Sequence, residues 1–452
     1  MKTSISPTFC ILPWIHLSTR PNGHMRVCCT ANASSAGPTN DKKYGGEIGI
    51  LKEDDRWQPS NLGIHSLTNS WNNSYMKLTR LRMLGGIIPA QCQKCFTEEE
   101  AGHRSKRIWE TEYWSKRIDI NQLIDETQED GSVPPKLYYI DLRMGTKCNL
   151  KCIMCSPHDS SMWISDWKKL FPKIQNNKLR ELCNWEDGSG GGGSYAWHKD
   201  NPNFWNELYE QIPHMKQLYF AGGEALVIKE HYQLLEEVVR RGHADKIELR
   251  YNSNGINIPE KLFELWNKFD RVRFHFSIDS IEGMNEYIRW PSNWDEIEKS
   301  LKILDQTDDN IEVTIACAVQ ALNIYYIPDL IKWKLEQNFK KINPWPLGAG
   351  LVNFHLVYHP AFLNVKVLPQ WFKEKVRYKY EDFVRWLKEN YKNDDEFLNS
   401  GYGIKRLEGM LNFMFSDDWS VRLPQFSEYI TLMDKIRGTD FKETFPEMEE
   451  LI

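Results

Sequence analysis

Three closely spaced cysteines are the residues of this chain whose types and spacing most clearly allow chemistry. Cys148, Cys152 and Cys155 form a C-x3-C-x2-C run directly after a strand-like segment over 136–143. Three thiolates on one short loop can each bind a different iron of a four-iron, four-sulfur (4Fe-4S) cluster, which leaves the fourth iron without a protein ligand. An open iron can bind a further molecule, so the spacing indicates a reactive cluster. A zinc site with His158 as the fourth ligand is the alternative that these residues leave open.

A glycine pair followed by a carboxylate ends a second short apolar segment. Gly222, Gly223 and Glu224 follow the run over 217–221. Glycine lets the backbone approach a ligand closely, and a carboxylate can bind an ammonium group. This motif alone is weak, but behind the cysteine run it favours an iron–sulfur enzyme over a zinc site.

The two motifs together resemble the radical S-adenosylmethionine (radical SAM) superfamily. In that family the amino and carboxylate groups of SAM chelate the open iron, and an electron passed through the cluster splits SAM to give a 5′-deoxyadenosyl radical. The resemblance implies that Cys148, Cys152 and Cys155 are the cluster ligands and the catalytic residues. The SAM-binding residues that it implies are Gly222, Gly223, Glu224, Asn252, Ser277, Asp279, Arg289 and Ala318.

Several of these SAM contacts lie at the ends of predicted strands. Asn252 opens the turn Asn-Ser-Asn-Gly, which resembles the family's Thr-Asn-Gly motif. Ser277 and Asp279 face the same way because strand side chains alternate, and the resemblance assigns them to the ribose hydroxyls of SAM. The planar fork of Arg289 suits the SAM carboxylate, with a surface ion pair as the alternative. Ala318 is small and is expected to pass the adenine.

The elements that position these residues alternate between strand and helix from about residue 136, which predicts an α/β fold with a parallel sheet. The six predicted strands span 136–144, 216–221, 246–252, 271–278, 311–319 and 351–358. Six such units match the partial (β/α)6, TIM-like barrel of the radical SAM family, in which ligands collect at the C-terminal ends of strands. The polar wall residues Arg273, His275, Asn353, His355 and His359 either line a substrate cavity or are buried, satisfied polar groups.

A second group of cysteines lies in the first hundred residues. Cys92 and Cys95 form a C-x2-C pair, Cys28 follows Gly23 in a G-x4-C pattern, and Cys10 lies thirteen positions before that glycine. The pattern resembles the first half of a SPASM domain, whose reduced version, called twitch, holds one auxiliary 4Fe-4S cluster. The resemblance implies that the four cysteines are its ligands. Here the segment precedes the radical SAM motifs, whereas in the familiar arrangement it follows them.

Cys29 competes with Cys28 for the auxiliary site. Neighbours in a strand point to opposite faces, so we expect only one of the two to reach iron, and the G-x4-C pattern favours Cys28. A structural zinc held by four cysteines is the alternative to a cluster.

Length and composition indicate the number of domains and the possible partners. A chain of 452 residues exceeds what one core usually supports, and we expect a twitch-like domain over 1–130, the barrel over 131–365 and a helical C-terminal cap over 366–452. The net charge of -5 and the lack of a long apolar run predict no nucleic-acid partner, no membrane segment and a cytoplasmic location. The Gly/Ser run over 187–194 indicates a flexible linker, natural or engineered.

The sequence thus predicts an enzyme that uses two 4Fe-4S clusters and SAM to abstract hydrogen from a substrate. Relatives with a SPASM or twitch cluster mostly crosslink, epimerise or oxidise ribosomal peptides or proteins, so the resemblance implies a peptide or protein substrate and a reducing partner such as flavodoxin or ferredoxin. A small metabolite, such as a sugar, nucleotide or cofactor precursor, is the alternative, favoured by the lack of a recognisable leader-binding segment before residue 10. A non-catalytic metal-cluster scaffold is the alternative of another class.

Overall fold

The structure is a computed structural model, and it describes most of the chain. The residues outside the description are 1–4, 32, 35–36, 39, 42–45, 48, 54–58, 101–103, 186–193, 343–350 and 401–402. The Gly/Ser run that the sequence marks as a linker lies, apart from Ser194, outside the described residues.

The strands include all six that the sequence predicts, as β7 to β12. They are β1 His16–Thr19, β2 Met25–Arg26, β3 Ala33–Ser34, β4 Gly37–Pro38, β5 Asn40–Asp41, β6 Gly46–Glu47, β7 Tyr139–Leu142, β8 Gln217–Phe220, β9 Glu248–Ser253, β10 Arg271–Ser277, β11 Ile311–Val319 and β12 Asn353–Leu356. The predicted segments run up to three residues past the observed ends, except that β9 extends one residue further. Strands β1 to β6 were not predicted.

The helices are α1 Leu12–Ile15, α2 Leu67–Trp71, α3 Ser74–Leu84, α4 Gln93–Glu100, α5 Lys106–Ser115, α6 Ile120–Asp125, α7 Trp163–Leu170, α8 Asn177–Leu182, α9 Trp197–Asp200, α10 Phe204–Gln211, α11 Lys229–Arg240, α12 Glu260–Trp266, α13 Glu282–Ile288, α14 Trp294–Leu304, α15 Ile327–Glu336, α16 Gln370–Asn390, α17 Asp395–Leu398, α18 Ile404–Phe415, α19 Leu423–Arg437 and α20 Phe441–Thr444. None of the helices in the described part of the chain is long and apolar enough to cross a membrane.

The chain folds into two compact units, and the first comprises residues 1–146, 189–250 and 268–270. In this unit β1 pairs in parallel with β7, β7 pairs in parallel with β8, and β2 adds to β1 in the antiparallel sense. All four residues of β7 are buried. Burial on both faces is typical of parallel strands, and here it includes the carboxylate of Asp141, which accepts a hydrogen bond from Oγ of Ser18 on β1 (2.9 Å).

The second unit comprises residues 147–188, 251–267 and 271–452. Its strands β10, β11 and β12 are parallel, with Ser277 opposite Ala316 and Ala318 opposite His355. Along β10 the odd-numbered residues are half-buried and the even-numbered ones are buried, because side chains alternate along a strand. The sheet therefore has one apolar face and one polar face, and the polar face carries Arg273 and His275.

The C-terminal part of the second unit is helical, as its apolar periodicity predicts. Helix α16 buries Phe372, Val376, Tyr380, Phe383 and Leu387, at spacings of three and four residues. The domain division that the sequence suggests, at 130/131 and 365/366, remains a prediction.

Candidate active site

The loop of Cys148, Cys152 and Cys155 belongs to the second unit, and its backbone is held by its own neighbours. The amide of Cys155 donates to the carbonyl of Cys152 (2.9 Å). The Oγ of Ser160 donates to Leu150 O (2.6 Å), and the indole Nε1 of Trp163 donates to the carbonyl of Cys152 (2.8 Å). These bonds hold the backbone of the loop that carries the three cysteines.

The thiols of Cys152 and Cys155 interact directly. A hydrogen bond between the two side chains lowers the pKa of Cys152 and, with burial, raises the pKa of Cys155 well above its usual range. The charge of Cys148 also acts on Cys155. Iron binds the thiolate form of cysteine, so a loop in which one thiol is already inclined to ionise fits the binding of a cluster.

A buried ion pair connects the cysteine loop to the ends of β10 and β11. Nη1 of Arg289 lies 3.9 Å from Sγ of Cys152, and Nε of Arg289 lies 2.9 Å from Oδ2 of Asp279. Oδ1 of Asp279 accepts a hydrogen bond from the amide of Ala318 (2.7 Å). Four residues assigned to the site from sequence therefore form one continuous contact chain, although Cys152 and Ala318 are 166 positions apart in the sequence.

The charges of this pair support each other. Burial raises the pKa of the Asp279 carboxyl, and the nearby Arg289 opposes that rise. Burial by itself lowers the pKa of Arg289, but Asp279 and Cys152 raise it, so the net shift is upward. Arg289, whose side chain is 12% exposed, is thus a largely buried cation beside a cysteine thiol, and its partner Asp279 is fully buried. It is not the surface ion pair that the sequence left as an alternative.

The polar turn after β9 also reaches the cysteine loop, but through Asn254. Its Nδ2 donates to Oδ1 of Asn149 (2.7 Å), and its Oδ1 accepts from the amide of Ile256 (3.1 Å). Asn252, which opens this turn, is half-buried in β9, and its assignment to SAM binding remains a prediction.

The Gly-Gly-Glu motif lies in the first unit, after β8. Gly222 and Gly223 have positive φ values of 77° and 57°, and a Cβ on Gly222 would meet the side chain of Arg143 at 3.1 Å. Glu224 is buried and accepts a hydrogen bond from the amide of Leu226 (3.1 Å), which caps the following turn. The glycines are therefore required by the backbone, and the binding of SAM by this motif remains a prediction.

The four cysteines assigned to the auxiliary site line one cavity in the first unit. Cys10, Cys28, Cys92 and Cys95 surround it, and Lys106 is among the other lining residues. Burial raises the pKa of Cys10, and the charges of Cys28 and Cys95 raise it further. Burial likewise raises the pKa of Cys92, and the charges of the other three add to that shift. The four thiols are close enough to act on one another.

Cys29 is absent from the residues that line the four-cysteine cavity. Burial raises its pKa, and the charges of Lys106, which lowers it, and Asp141, which raises it, act on it next. The choice of Cys28 over Cys29 as a ligand remains a prediction. Across the described residues no three His, Cys, Asp or Glu side chains converge closely enough to hold one metal ion, and this holds for the thiols of both cysteine groups.

Comparison with known proteins defines the class. The family model described as Radical SAM superfamily matches residues 142–318, a range that contains the cysteine loop and the Arg289–Asp279 pair. The chain therefore carries a radical SAM superfamily domain and is an enzyme. Such a domain implies one 4Fe-4S cluster and SAM, and the thiols, the buried cation and the strand ends described above fit those groups.

Among curated proteins, the chain is 24% identical over 206 residues to "Molybdenum cofactor biosynthesis protein 1" of Dictyostelium discoideum, covering 44% of this chain and 27% of that protein. Among solved structures it is similar to native anSMEcpe with bound AdoMet and Cp18Cys peptide, at 16% identity, 61% of this chain, 65% of that chain and a TM-score of 0.33. It is also similar to Streptococcus suis SuiB, at 14% identity, 77% and 67% coverage and a TM-score of 0.31. The matched region thus spans about a quarter of the length of the curated relative. The TM-scores of the two solved structures are too low to indicate the substrate of this chain.

Proposed function

We propose that the enzyme cleaves SAM reductively at a cluster held by Cys148, Cys152 and Cys155 and uses the resulting radical to abstract hydrogen from a substrate. The observation that carries the proposal is the contact chain from Cys152 through Arg289 and Asp279 to the amide of Ala318. It joins the cysteine loop to the ends of two parallel strands, which is where such folds bind ligands.

Within this proposal each residue has a definite task. The cluster and SAM together supply the electron transfer and the 5′-deoxyadenosyl radical. The three cysteines bind iron and leave one position open. Arg289 places positive charge beside Cys152, and Asp279 orients the guanidinium while it holds the end of β11 through Ala318. We propose that Ser277, which lies on the polar face of β10 two residues before Asp279, contacts the ribose of SAM.

Iron analysis and SAM cleavage test this proposal. Reconstituted protein with dithionite should form 5′-deoxyadenosine, and the triple variant with Cys148, Cys152 and Cys155 changed to Ala should form none. Cys183→Ala is the matched control, because Cys183 is also a buried thiol of the second unit. Undiminished 5′-deoxyadenosine in the triple variant would refute the assignment of the cysteines.

We further propose that Cys10, Cys28, Cys92 and Cys95 hold an auxiliary 4Fe-4S cluster. The support is their shared cavity and the mutual effect of their charges. Two clusters predict about eight irons, falling to about four in the triple variant. If zinc is found in place of the second set of irons, the assignment of the SAM-cleaving cluster would remain, and the N-terminal site would be a structural zinc site.

For the substrate we propose a peptide or protein, supported by the resemblance of the N-terminal cysteine pattern to twitch segments. An electron donor of the flavodoxin or ferredoxin kind follows from the need for reduction. A small metabolite is the second candidate, favoured by the curated relative named for cofactor biosynthesis. The polar face of β10 to β12 suits either, since it offers polar groups such as Asn353, whose Oδ1 accepts a hydrogen bond from Arg406 (3.0 Å).

Hydrogen transfer distinguishes the two substrates. An extract from cells grown in deuterated medium is separated by ultrafiltration, and each fraction is incubated with the enzyme and unlabelled SAM. Deuterium in 5′-deoxyadenosine from the macromolecular fraction supports a peptide or protein. Deuterium only from the small-molecule fraction contradicts that proposal and supports a metabolite.

A further inference from the structure

The loop that carries Cys152 is held on one side by a helix from the far end of the chain. Helix α19 sends Oη of Tyr429 to the carbonyl of Ile153 (2.8 Å) and Nη2 of Arg437 to the carbonyl of Lys151 (2.7 Å). The bonded carbonyls belong to the residues immediately before and after Cys152. Both belong to the second unit, as does α19.

The other side of the same two residues is held by the segment that follows α13. The amide of Lys151 donates to the carbonyl of Trp290, and the amide of Ile153 donates to the carbonyl of Ile288, both at 2.7 Å. All four backbone groups that flank Cys152 are therefore bound. Buried backbone groups need such partners, and half of them here come from α19.

Arg437 enters this site as part of a buried charge group. Its side chain is only 2% exposed, its Nε lies 3.0 Å from Oδ2 of Asp166, and its guanidinium stacks over Trp163 at 4.8 Å. Oδ1 of Asp166 also lies 2.6 Å from Nζ of Lys151. Two cations share one carboxylate, so the group carries one net positive charge next to the cysteine loop.

The same helix also contacts the element that leads to Arg289. Oη of Tyr287, near the end of α13, donates to Oδ1 of Asp434 on α19 (2.8 Å). Arg289 follows two residues later and contacts Cys152. Helix α19 is thus connected both to the loop of Cys152 and to the arginine beside it.

A helix that only covered a core would need no such groups. Helix α19 already buries Phe426, Ile430 and Met433, and apolar packing alone would hold it in place. Burying Arg437 and the oxygen of Tyr429 is costly unless each finds partners. The partners they find are the carbonyls on either side of one cysteine.

We propose that α19 is a positioning element of the cluster site, in which Tyr429 and Arg437 fix the backbone around Cys152 and Arg437 adds a buried positive charge that favours the reduced cluster. The inference rests on the proposed function, namely that Cys152 binds the SAM-cleaving cluster. Reduction adds one negative charge to that cluster, and a nearby buried cation stabilises it.

Four variants separate these roles. Arg437→Met removes the charge and the bond to Lys151, Arg437→Lys keeps the charge without the fork, and Tyr429→Phe removes one hydrogen bond while it keeps the ring. Lys435→Met, on the exposed side of the same helix, is the matched control.

The first measurement is hydrogen exchange of the loop over 148–155 in full-length protein before iron is added. Loss of one bond to the loop should speed exchange there by about tenfold in Tyr429→Phe and Arg437→Lys, with no change in Lys435→Met. The second is the midpoint potential of the iron–sulfur signal that shifts when SAM is added, in reconstituted protein. It should fall in Arg437→Met and stay near wild type in Arg437→Lys.

Each outcome bears on the inference separately from the proposed function. If the wild-type protein shows no iron–sulfur signal that responds to SAM, the proposed function itself is contradicted. A wild-type signal combined with unchanged loop exchange in Tyr429→Phe and Arg437→Lys, or an unchanged potential in Arg437→Met, would overturn the role of α19. If Arg437→Met fails to fold, loop exchange in the two milder variants still decides the positioning claim.

Discussion

The ion pair between Arg289 and Asp279 should be strongly coupled, and a double-mutant cycle measures that coupling. Arg289→Met removes the positive charge and leaves the Asp279 carboxylate buried with the amide of Ala318 as a remaining partner. Asp279→Asn removes the negative charge and leaves the guanidinium buried. The double variant leaves neither charge unpaired, so it should be more stable than the two single losses suggest.

The geometry sets the size of the effect. At 2.9 Å and an effective dielectric constant of about 20, the attraction is roughly 6 kcal/mol, and the cost of taking both charges out of water offsets much of it. Removing one partner of a buried pair typically costs about 3–5 kcal/mol. We therefore expect each single variant to lose about that much unfolding free energy, with a coupling energy of about 2 kcal/mol or more.

The free energies of unfolding are measured by urea unfolding of the protein before iron is added. Tryptophan fluorescence and circular dichroism both monitor the unfolding, to check that they report one transition. The exposed pair Arg385 and Asp382, 3.1 Å apart with side chains 68% and 71% exposed, provides the control cycle. Exposed pairs couple by about 0.5 kcal/mol or less. A coupling energy for the buried pair no larger than that of the control would refute the reasoning.

Three further results are expected. Gly255→Ala should destabilise the protein markedly in thermal unfolding, since the residue has φ of +64° and the new Cβ would overlap the ring of Phe276; an unchanged melting temperature would contradict this. Burial lowers the pKa of Lys334 from 10.5 to about 7. Between these two pH values the unfolded chain binds more protons than the folded one, so the free energy of unfolding should rise with pH by up to about 1.4 kcal/mol per pH unit. The Lys334→Met variant should lack this slope. Cys28→Ala should lower the iron content of the N-terminal site while Cys29→Ala should not, and equal losses would argue against the choice of ligand.

Local sequence determined much of the secondary structure of this protein and the spacing of its cysteines. The six strands from β7 to β12 were predictable because runs of apolar residues bounded by turns report burial directly. The cysteine loop was predictable because its three thiols lie within eight positions. The motifs at the strand ends were also predictable, because the C-terminal ends of parallel strands lie at the same edge of a sheet, where ligands bind.

Tertiary structure decided which of these residues contact one another. The sequence assigned Arg289 and Asp279 to different parts of SAM, whereas the fold pairs them with each other, because burial makes an unpaired charge costly. It also placed Cys28, and not Cys29, in the lining of the cavity that the other three N-terminal cysteines share. Neither outcome follows from spacing along the chain.

The role of α19 was beyond the reach of the sequence. Its periodicity predicts a helix, but the bond from Arg437 to Lys151 spans 286 positions. Which distant carbonyls a buried arginine will bind depends on packing of the whole second unit, because many acceptors could satisfy its donors equally well. The types and spacing of the cysteines therefore predicted a cluster-binding loop, and only the folded chain determined what holds that loop in place.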